Sequence, residues 1–408
     1  MKKKVFISFT IIFASLLWTL PILAAESIKI GFLHTLSGGV AQIFGIPDLA
    51  AVRMAVEEIN ATGGILGRPL EVVVRDDKLN AEVAVREAKD LIFNEKVQWI
   101  QGSVSSGVAL AVSSLCKKEK VPYIITGAMS TKVTVEEGHR YVFRVTTNTD
   151  CYTASMANAV VKFWPGLKKV FTISPDYEYG HVTSRDFMAA YKKLVPDARV
   201  VGQLWPKLGN MDFTPHVTTI MASGCDFVYA SIFAGDALNF TKTATPFGYF
   251  NKTKTVGQDW GLVELLRTMN KEVYCKGVIG ASPYPFYVIN NPLSNAFVSK
   301  FKKRTGEDPG FYAASGYTVV YAMKKAIEKA KAVNTEKIID ALEGSTLDTV
   351  VGSVEIQACD HQAMWPYWTG IVDFTAEYPW PRITKTFLID PPSKAYRNCA
   401  EIQAARKK

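Results

Sequence analysis

Two rhythms of apolar and polar positions alternate along this chain. Short apolar runs, IKIGFL from Ile28, LEVVVRDD from Leu70, VQWIQG from Val97 and VPYIITG from Val121, have the continuous character of strands covered on both faces. Between them, apolar residues recur every third or fourth position. Leu49, Val52, Val56 and Ile59 share one helical face, and Val83, Val85, Ala88, Leu91 and Ile92 share another. Pro47 and Asp48 suit the first turn of the first helix, and Gly63 and Gly64 end it. A further helix is expected around Ala109–Lys118, with Ser105 or Ser106 as its N-cap. Strand, helix, strand at this length is a βαβ unit, and successive units build a parallel sheet.

The second half repeats the grammar. A helix at Thr153–Phe163, a strand KVFTIS and a helix at Thr183–Leu194 are predicted, then strands near Arg199–Leu204, Asp226–Ile232 and Thr255–Gly257. The extended segments Tyr141–Thr147 and Gly277–Pro285 read as crossings between the halves. Helices follow at Ser294–Thr305, Ala313–Ala332 and Thr335–Glu343, then strands at Val350–Ile356 and Tyr367–Phe374 and a tail rich in Pro and aromatics. The expectation is an α/β protein of two Rossmann-like lobes joined by a hinge. Residues 26–145 with 284–352 would form the first lobe, and 146–283 with 353–408 the second. Ligands in such sheets collect outside the carboxyl ends of the strands, which makes the HTLSGG loop after Ile28–Leu33 one wall of a cleft.

The amino terminus changes the picture of where the protein works. Lys2, Lys3 and Lys4 precede an apolar run from Val5 to Leu23 that ends in Ala24 and Ala25. That order of charge, apolar core and small residues predicts a signal peptide over residues 1–25, a membrane anchor being the alternative. No Cys follows the cut, so no lipid anchor is expected there, and no later run reads as a membrane span. Removing 25 of 408 residues leaves 383, enough for two domains of ordinary size. The net charge of +9 falls to about +6 without the three signal lysines, and its scatter resembles neither a nucleic-acid arm nor a membrane tether. Six cysteines in an exported chain permit disulfides, and Cys359 with Cys399 is the preferred pair because both lie in the C-terminal excursion; the others fit reduced, buried positions.

Enzyme signatures are missing: there is no GxxxxGK[ST], no GxGxxG after a strand, no GxSxG and no HExxH. His34, His139, His181, His216 and His361 lack metal-ligand spacing, and no cofactor is expected. Hydroxyls instead gather at predicted strand ends: Ser105 and Ser106 after one, Thr126 and Ser130 after the next. Hydroxyls and free amides at helix N-termini suit a carboxylate. Facing them from the second half are Tyr179, Phe233 and Asp259. Aromatics there can sandwich an apolar ligand body, and a lone carboxylate can pair with an ammonium.

The run VAQIFGIPDLAAVRMAVEEINATGGILGRPLEVVVRDD, followed in order by GSVSSG, ITGAMST, DYEYG, DFVYASIFAGD and GQDWG, resembles the substrate-binding proteins of ABC transporters for branched-chain amino acids, over nearly the whole mature chain. The resemblance implies a type I periplasmic binding fold with three hinge crossings, and a ligand held between lobes that close on it. It places Ser105 on the serine that holds an amino acid's carboxylate, with Ser106 beside it, Ala128 on a backbone contact and Ser130 where a threonine is common. Tyr179 and Phe233 fall on aromatic walls, Asp259 on an acidic residue, commonly glutamate, that receives the α-ammonium, and Phe44 and Tyr312 on the side-chain pocket. Leu79 and Val104 stand where some members carry a disulfide. The implied function is a non-enzymatic, monomeric periplasmic receptor that binds a small apolar amino acid and delivers it to ABC permease subunits. The alternatives are the same fold binding an aromatic or aliphatic carboxylate or a small amide, or a ligand sensor without transport.

Overall fold

The computed structural model describes residues 26–407; the expected signal peptide, residues 1–25, lies outside the described residues. The strands are numbered in chain order. β1 (Ile28–His34), β2 (Leu70–Asp76), β3 (Trp99–Gly102), β4 (Tyr123–Ile125) and β5 (Val142–Arg144) form an all-parallel sheet in the order β2-β1-β3-β4-β5. β3, β4 and β5 are buried throughout, the expected consequence of helices covering both faces of a parallel sheet.

The second sheet takes β6 (Lys169–Ile173), β7 (Arg199–Leu204), β8 (Phe227–Ala230), β9 (Thr255–Gly257) and β10 (Ile279–Ser282). A small hairpin of β11 (Thr346–Thr349) and β12 (Gly352–Glu355) follows, and then β13 (Trp368–Asp373) and β14 (Arg382–Leu388) complete the second sheet in the order β14-β13-β10-β9-β8-β6-β7. β13 runs antiparallel to β10, and β14 antiparallel to β13. The chain passes between the sheets after β5, after β10 and after β12. Gly277–Pro285 is thus not simply a crossing: Ile279–Ser282 is a strand of the second sheet, and the chain leaves only at Pro283.

Both sheets reverse winding direction, between β1 and β3 in the first and between β6 and β8 in the second. The carboxyl ends at such a switch point open a crevice, and the two crevices face each other.

The helix read as starting at Pro47 starts earlier. Helical backbone begins at Gly38, passes through a π-helical turn at Ala41–Gly45 and continues to Ala61. This run is apolar enough on average to span a bilayer, contrary to the sequence reading, but over half of it is buried in the fold. Ala51, Val52, Ala55 and Ile59 pack toward the Phe311–Ala330 helix. Gly316 permits the close approach, because a β-carbon there would lie 1.7 Å from Asp48 Oδ1 and 2.9 Å from Val52 Cγ2. Gly316→Ala is therefore expected to destabilise the protein by about 2–3 kcal/mol in urea unfolding, since backbone or carboxylate must shift in a packed layer. A cost under ~0.5 kcal/mol, the size of an ordinary surface change, would contradict this packing account.

Cys359 and Cys399 are joined in a disulfide, while Cys116, Cys151 and Cys275 are free and buried and Cys225 is free and half-buried.

Candidate functional site

Each sheet contributes the residues just past its carboxyl ends. After β3 come Ser103, Val104 and Ser105, and after β4 come Thr126, Gly127, Ala128, Met129 and Ser130. From the second sheet, Tyr177 and Tyr179 follow β6, Phe233 follows β8, and Gln258 and Asp259 follow β9. The lobes meet over these positions. Gln258 Nε2 reaches Met129 Sδ at 3.3 Å, Ser130 Oγ donates to Glu178 Oε1 at 3.2 Å, and Thr131 Oγ1 donates to Asp186 Oδ2 at 3.3 Å. The structure is the closed arrangement. A residual cavity of ≈ 20 Å³ remains, walled by Val104, Gly127, Met129, Tyr177, Tyr179, Phe233, Gln258, Asp259 and Tyr312. That volume suits roughly one water molecule, so a ligand the size of an amino acid enters with the lobes parted.

Four residues singled out in the sequence, Tyr179, Phe233, Asp259 and Tyr312, meet at this cavity. Phe44, carried by the π-helical turn, stacks on Tyr312 with ring centroids 4.2 Å apart and faces Phe233 at 6.4 Å. Tyr179 meets Phe233 edge to face at 5.8 Å. Gly127 is what allows Tyr312 in, since a β-carbon there would fall 2.4 Å from the ring.

The hydroxyl cluster is arranged differently. Ser105 caps the Ser106–Glu119 helix, its Oγ accepting from Val108 N. Ser106 Oγ accepts from Ser130 N, and Thr126 Oγ1 donates to Asp48. Ala128 donates its N–H to Ser103 O, and its carbonyl accepts from Arg144 Nε at 2.9 Å. Ser105, Ser106, Ala128 and Ser130 therefore form the layer beneath the first-lobe wall, directly behind Val104, Gly127 and Met129.

Tyr177, Gln258, Met129, Val104 and Gly127 were not singled out as site residues. Tyr177 had a signal, a second aromatic in DYEYG at the N-cap of the helix that carries Tyr179 in its first turn.

Among the described residues, Asp259 is the only ionisable acid or base on the cavity wall besides the tyrosines. Its Oδ2 accepts from Ala234 N at 2.7 Å, with Ala234 in the left-handed region at φ 51°. An alanine held there stores of order 1 kcal/mol of strain, which the surrounding fold must impose. Burial pushes the Asp259 carboxyl up to about 7, and nearby Glu264 adds to the rise against the Ala234 hydrogen bond. The sign follows: closing an empty cleft over the ionised carboxylate is costly, while closing it over the neutral acid is not. The contribution of Asp259 to empty closure is most favourable below its ordinary value of 3.8 and is lost as pH rises through about 7. The full swing is of order 4 kcal/mol. Small-angle scattering of ligand-free protein is expected to show a more open ensemble at pH 8 than at pH 5, with a smaller difference in Asp259→Asn. An equal difference in that variant would contradict the assignment.

Below the first-lobe wall lies a buried neutral pair. Burial pulls His34 down to about 4 and pushes Asp48 well above the carboxylate range. Thr126 Oγ1 donates to Asp48 Oδ2 at 2.8 Å, and the His34 and Tyr312 rings meet edge to face with centroids 6.2 Å apart.

This constellation, two switch-point crevices closed on an aromatic box with one buried carboxyl, coincides with a family-wide sequence pattern: residues 27–376 match the model of the periplasmic binding proteins. The chain belongs to the periplasmic binding protein family. The family comprises solute-binding receptors of transport systems, which are extracytoplasmic. Among its relatives, the leucine-, isoleucine-, valine-, threonine- and alanine-binding protein of Pseudomonas aeruginosa is 26% identical over 343 residues, covering 81% of this chain and 86% of the relative. Among solved structures, a periplasmic binding protein of Burkholderia mallei superposes with a TM-score of 0.84 at 22% identity, covering 94% of this chain and 100% of the other. An ABC-transporter solute-binding protein of Rhodopseudomonas palustris, in complex with 3,4-dihydroxybenzoic acid, gives 0.80 at 24% identity, covering 90% and 99%. These likenesses establish the type I periplasmic binding fold.

Proposed function

We propose that this periplasmic binding protein is the receptor of an ABC importer, exported through a cleaved signal peptide over residues 1–25, and that it closes on a small apolar amino acid for delivery to permease subunits. Residues 26–145 with 284–352 would move as one body against 146–283 with 353–408, the protein remaining monomeric. The observation that carries the reading is the charge of the wall. Among the described residues, no Lys, Arg or His side chain lines the cavity, and the one carboxyl there is Asp259. A buried acid without a cation beside it favours a ligand that brings its own ammonium, which the Tyr177, Tyr179 and Phe233 rings also attract.

In this reading Asp259 takes the ammonium, Phe44, Tyr312 and Phe233 hold the apolar side chain, and the carboxylate end points to the helix N-terminus capped by Ser105, with Ser106, Ala128 and Ser130 supporting the loop. Ligand contacts from both lobes favour the closed state, and only that differential affinity moves the hinge equilibrium. Ser105 and Ser130 hydroxyls are engaged with protein in the closed form, so ligand would exchange for those partners as it seats.

A second reading, an aromatic carboxylate, rests on a different observation. With a pKa near 7, Asp259 can be neutral and donate to a phenol or carboxyl oxygen, and the structural neighbour in complex with dihydroxybenzoic acid shares the fold. A thermal-shift panel on residues 26–408, covering the standard amino acids, aromatic acids and small amides, separates the two, because a ligand that binds only the folded state raises the melting temperature. A shift with Leu, Ile, Val or Phe supports the amino-acid reading. A shift confined to acids without an amine overturns it.

A further inference from the structure

The family match ends at residue 376, yet the chain runs on through β14, a turn at 389–398 and a helix at Cys399–Arg406. This last segment touches both lobes and the crossings between them. Cys399 is bonded to Cys359 in the third crossing, and Gln357 Nε2 of that crossing donates to Arg397 O at 3.3 Å. Tyr396 donates to Trp365 O at 2.8 Å, in the same crossing.

Arg397 then spans the seam. Its Nη1 lies 3.4 Å from Glu136 of the first lobe, while Nε lies 3.1 Å from Asp150 and Nη2 3.8 Å from Asp186 of the second. Asp186 is itself at the seam, its other oxygen accepting from Thr131 of the first lobe. Arg406, at the end of the helix, donates to Val135 O at 2.9 Å and to Thr134 O at 3.1 Å. Between this segment and the helices carrying Asp150 and Asp186 lies a groove of ≈ 930 Å³. The segment is seated by buried Ala395, Tyr396 and Ile402, and its ties to the first lobe run through Arg397 and Arg406.

We propose that residues 389–407 are an interlobe strap that biases the hinge toward the closed state before ligand arrives. The disulfide anchors the strap to the third crossing. Arg397 and Arg406 clamp the 131–138 segment of the first lobe against the second. Parting the lobes moves Glu136 and Thr131 away from Asp186, so Arg397 must give up one set of carboxylates. The proposal rests on the two lobes moving as bodies and is independent of what the ligand is.

Its test uses the mature protein without ligand. Small-angle scattering is recorded for wild type, Arg397→Met and the milder Arg406→Ala, whose side chain is exposed and bonds only to carbonyls, at 50 mM and 1 M NaCl. Each variant's melting curve confirms that it is folded. The expected result is a larger radius of gyration and a several-fold smaller closed fraction in both variants at low salt. Raising the salt, which shortens the screening length to about 3 Å, should open the wild type toward Arg397→Met while leaving that variant nearly unchanged. If Arg397→Met fails to fold, Arg406→Ala decides alone. Radii and salt responses equal to wild type in the folded variants would overturn the strap, whatever the ligand screen reports.

Discussion

Asp259→Asn is expected to weaken leucine binding at least 100-fold, about 3 kcal/mol, in isothermal titration calorimetry. Asparagine keeps the shape and can still accept from Ala234 N, so the change isolates the charge. Removing one member of a buried charge pair typically costs 2–5 kcal/mol, because the other charge is left desolvated and unpaired. Here the orphan would be the ligand's ammonium, closed inside an aromatic box whose wall, among the described residues, carries no other carboxyl. The ligand-free protein should meanwhile lose no stability, since a carboxyl that burial pushes up to about 7 is not a stabilising charge at neutral pH. Affinity for leucine within fivefold of wild type would remove Asp259 from the ammonium role.

Arg144→Met carries the largest expected loss of stability, about 3–5 kcal/mol in urea unfolding. Arg144 ends β5 and has no exposed surface. Its guanidinium donates to Ala128 O at 2.9 Å, to Ser130 O at 2.7 Å, and to Thr134 Oγ1 and Gln362 Oε1 at 3.2 and 3.0 Å. Those acceptors belong to the loop behind the first-lobe wall and to the third crossing, so one buried cation pins the wall to the hinge. Burial pulls Arg144 down to about 10, and it remains charged at neutral pH. Methionine fills much of the volume and satisfies none of the acceptors, each of which is costly to leave unpaired. A loss below ~1 kcal/mol would mean the acceptors find other partners and that Arg144 is a filler.

Asp259 and the strap act on the same equilibrium in opposite directions. The buried carboxylate opposes closing an empty cleft at neutral pH, and the clamps of Arg397 and Arg406 favour it. A receptor balanced in this way needs only the differential contacts of a small ligand to tip closed.

Much of this architecture is visible in the residues because local and global preferences agree. The runs at Ile28 and Trp99 form buried parallel strands as read, and Ser105 caps its helix as read; the Leu70 run forms a parallel strand too, but at the sheet edge, where it is only partly buried. The misses have physical causes. Ser37, Gly38 and Gly39 look like a turn, and Gly38 is left-handed at φ 75°, yet a helical run starts there and passes a π turn that periodicity of 3.6 cannot register. The Ala234–Ala244 helix has Gly235 and Asp236 in its first turn, and its buried face of Ala237, Phe240, Thr241 and Ala244 is too small and too polar to read as an apolar stripe. β14 is an edge strand whose half-exposed RITKTFL alternates weakly, and the Cys399–Arg406 helix is fixed by an Asn398 capping box and a disulfide rather than by an amphipathic face.

The site divides along the same line. Tyr179, Phe233 and Asp259 are legible because bulky or charged groups after strand ends have few other uses, whereas Tyr312, in the first turn of a helix, is reached only through the family resemblance. The serines are ambiguous, since the same hydroxyl that could meet a carboxylate also caps a helix, and in the closed form Ser105 does the latter. Gly127 and Met129 matter only through partners distant in sequence, the Tyr312 ring and the Gln258 amide. No local pattern encodes such contacts.

The measurement that bears most directly on the central claim is calorimetric titration of the mature protein with leucine and with 4-methylpentanoate, which keeps leucine's carboxylate and side chain and lacks only its ammonium. The account predicts saturable binding of leucine and, for 4-methylpentanoate, affinity lower by at least 100-fold. Equal affinity for the two, or preference for the acid, would contradict an ammonium-reading cleft centred on Asp259.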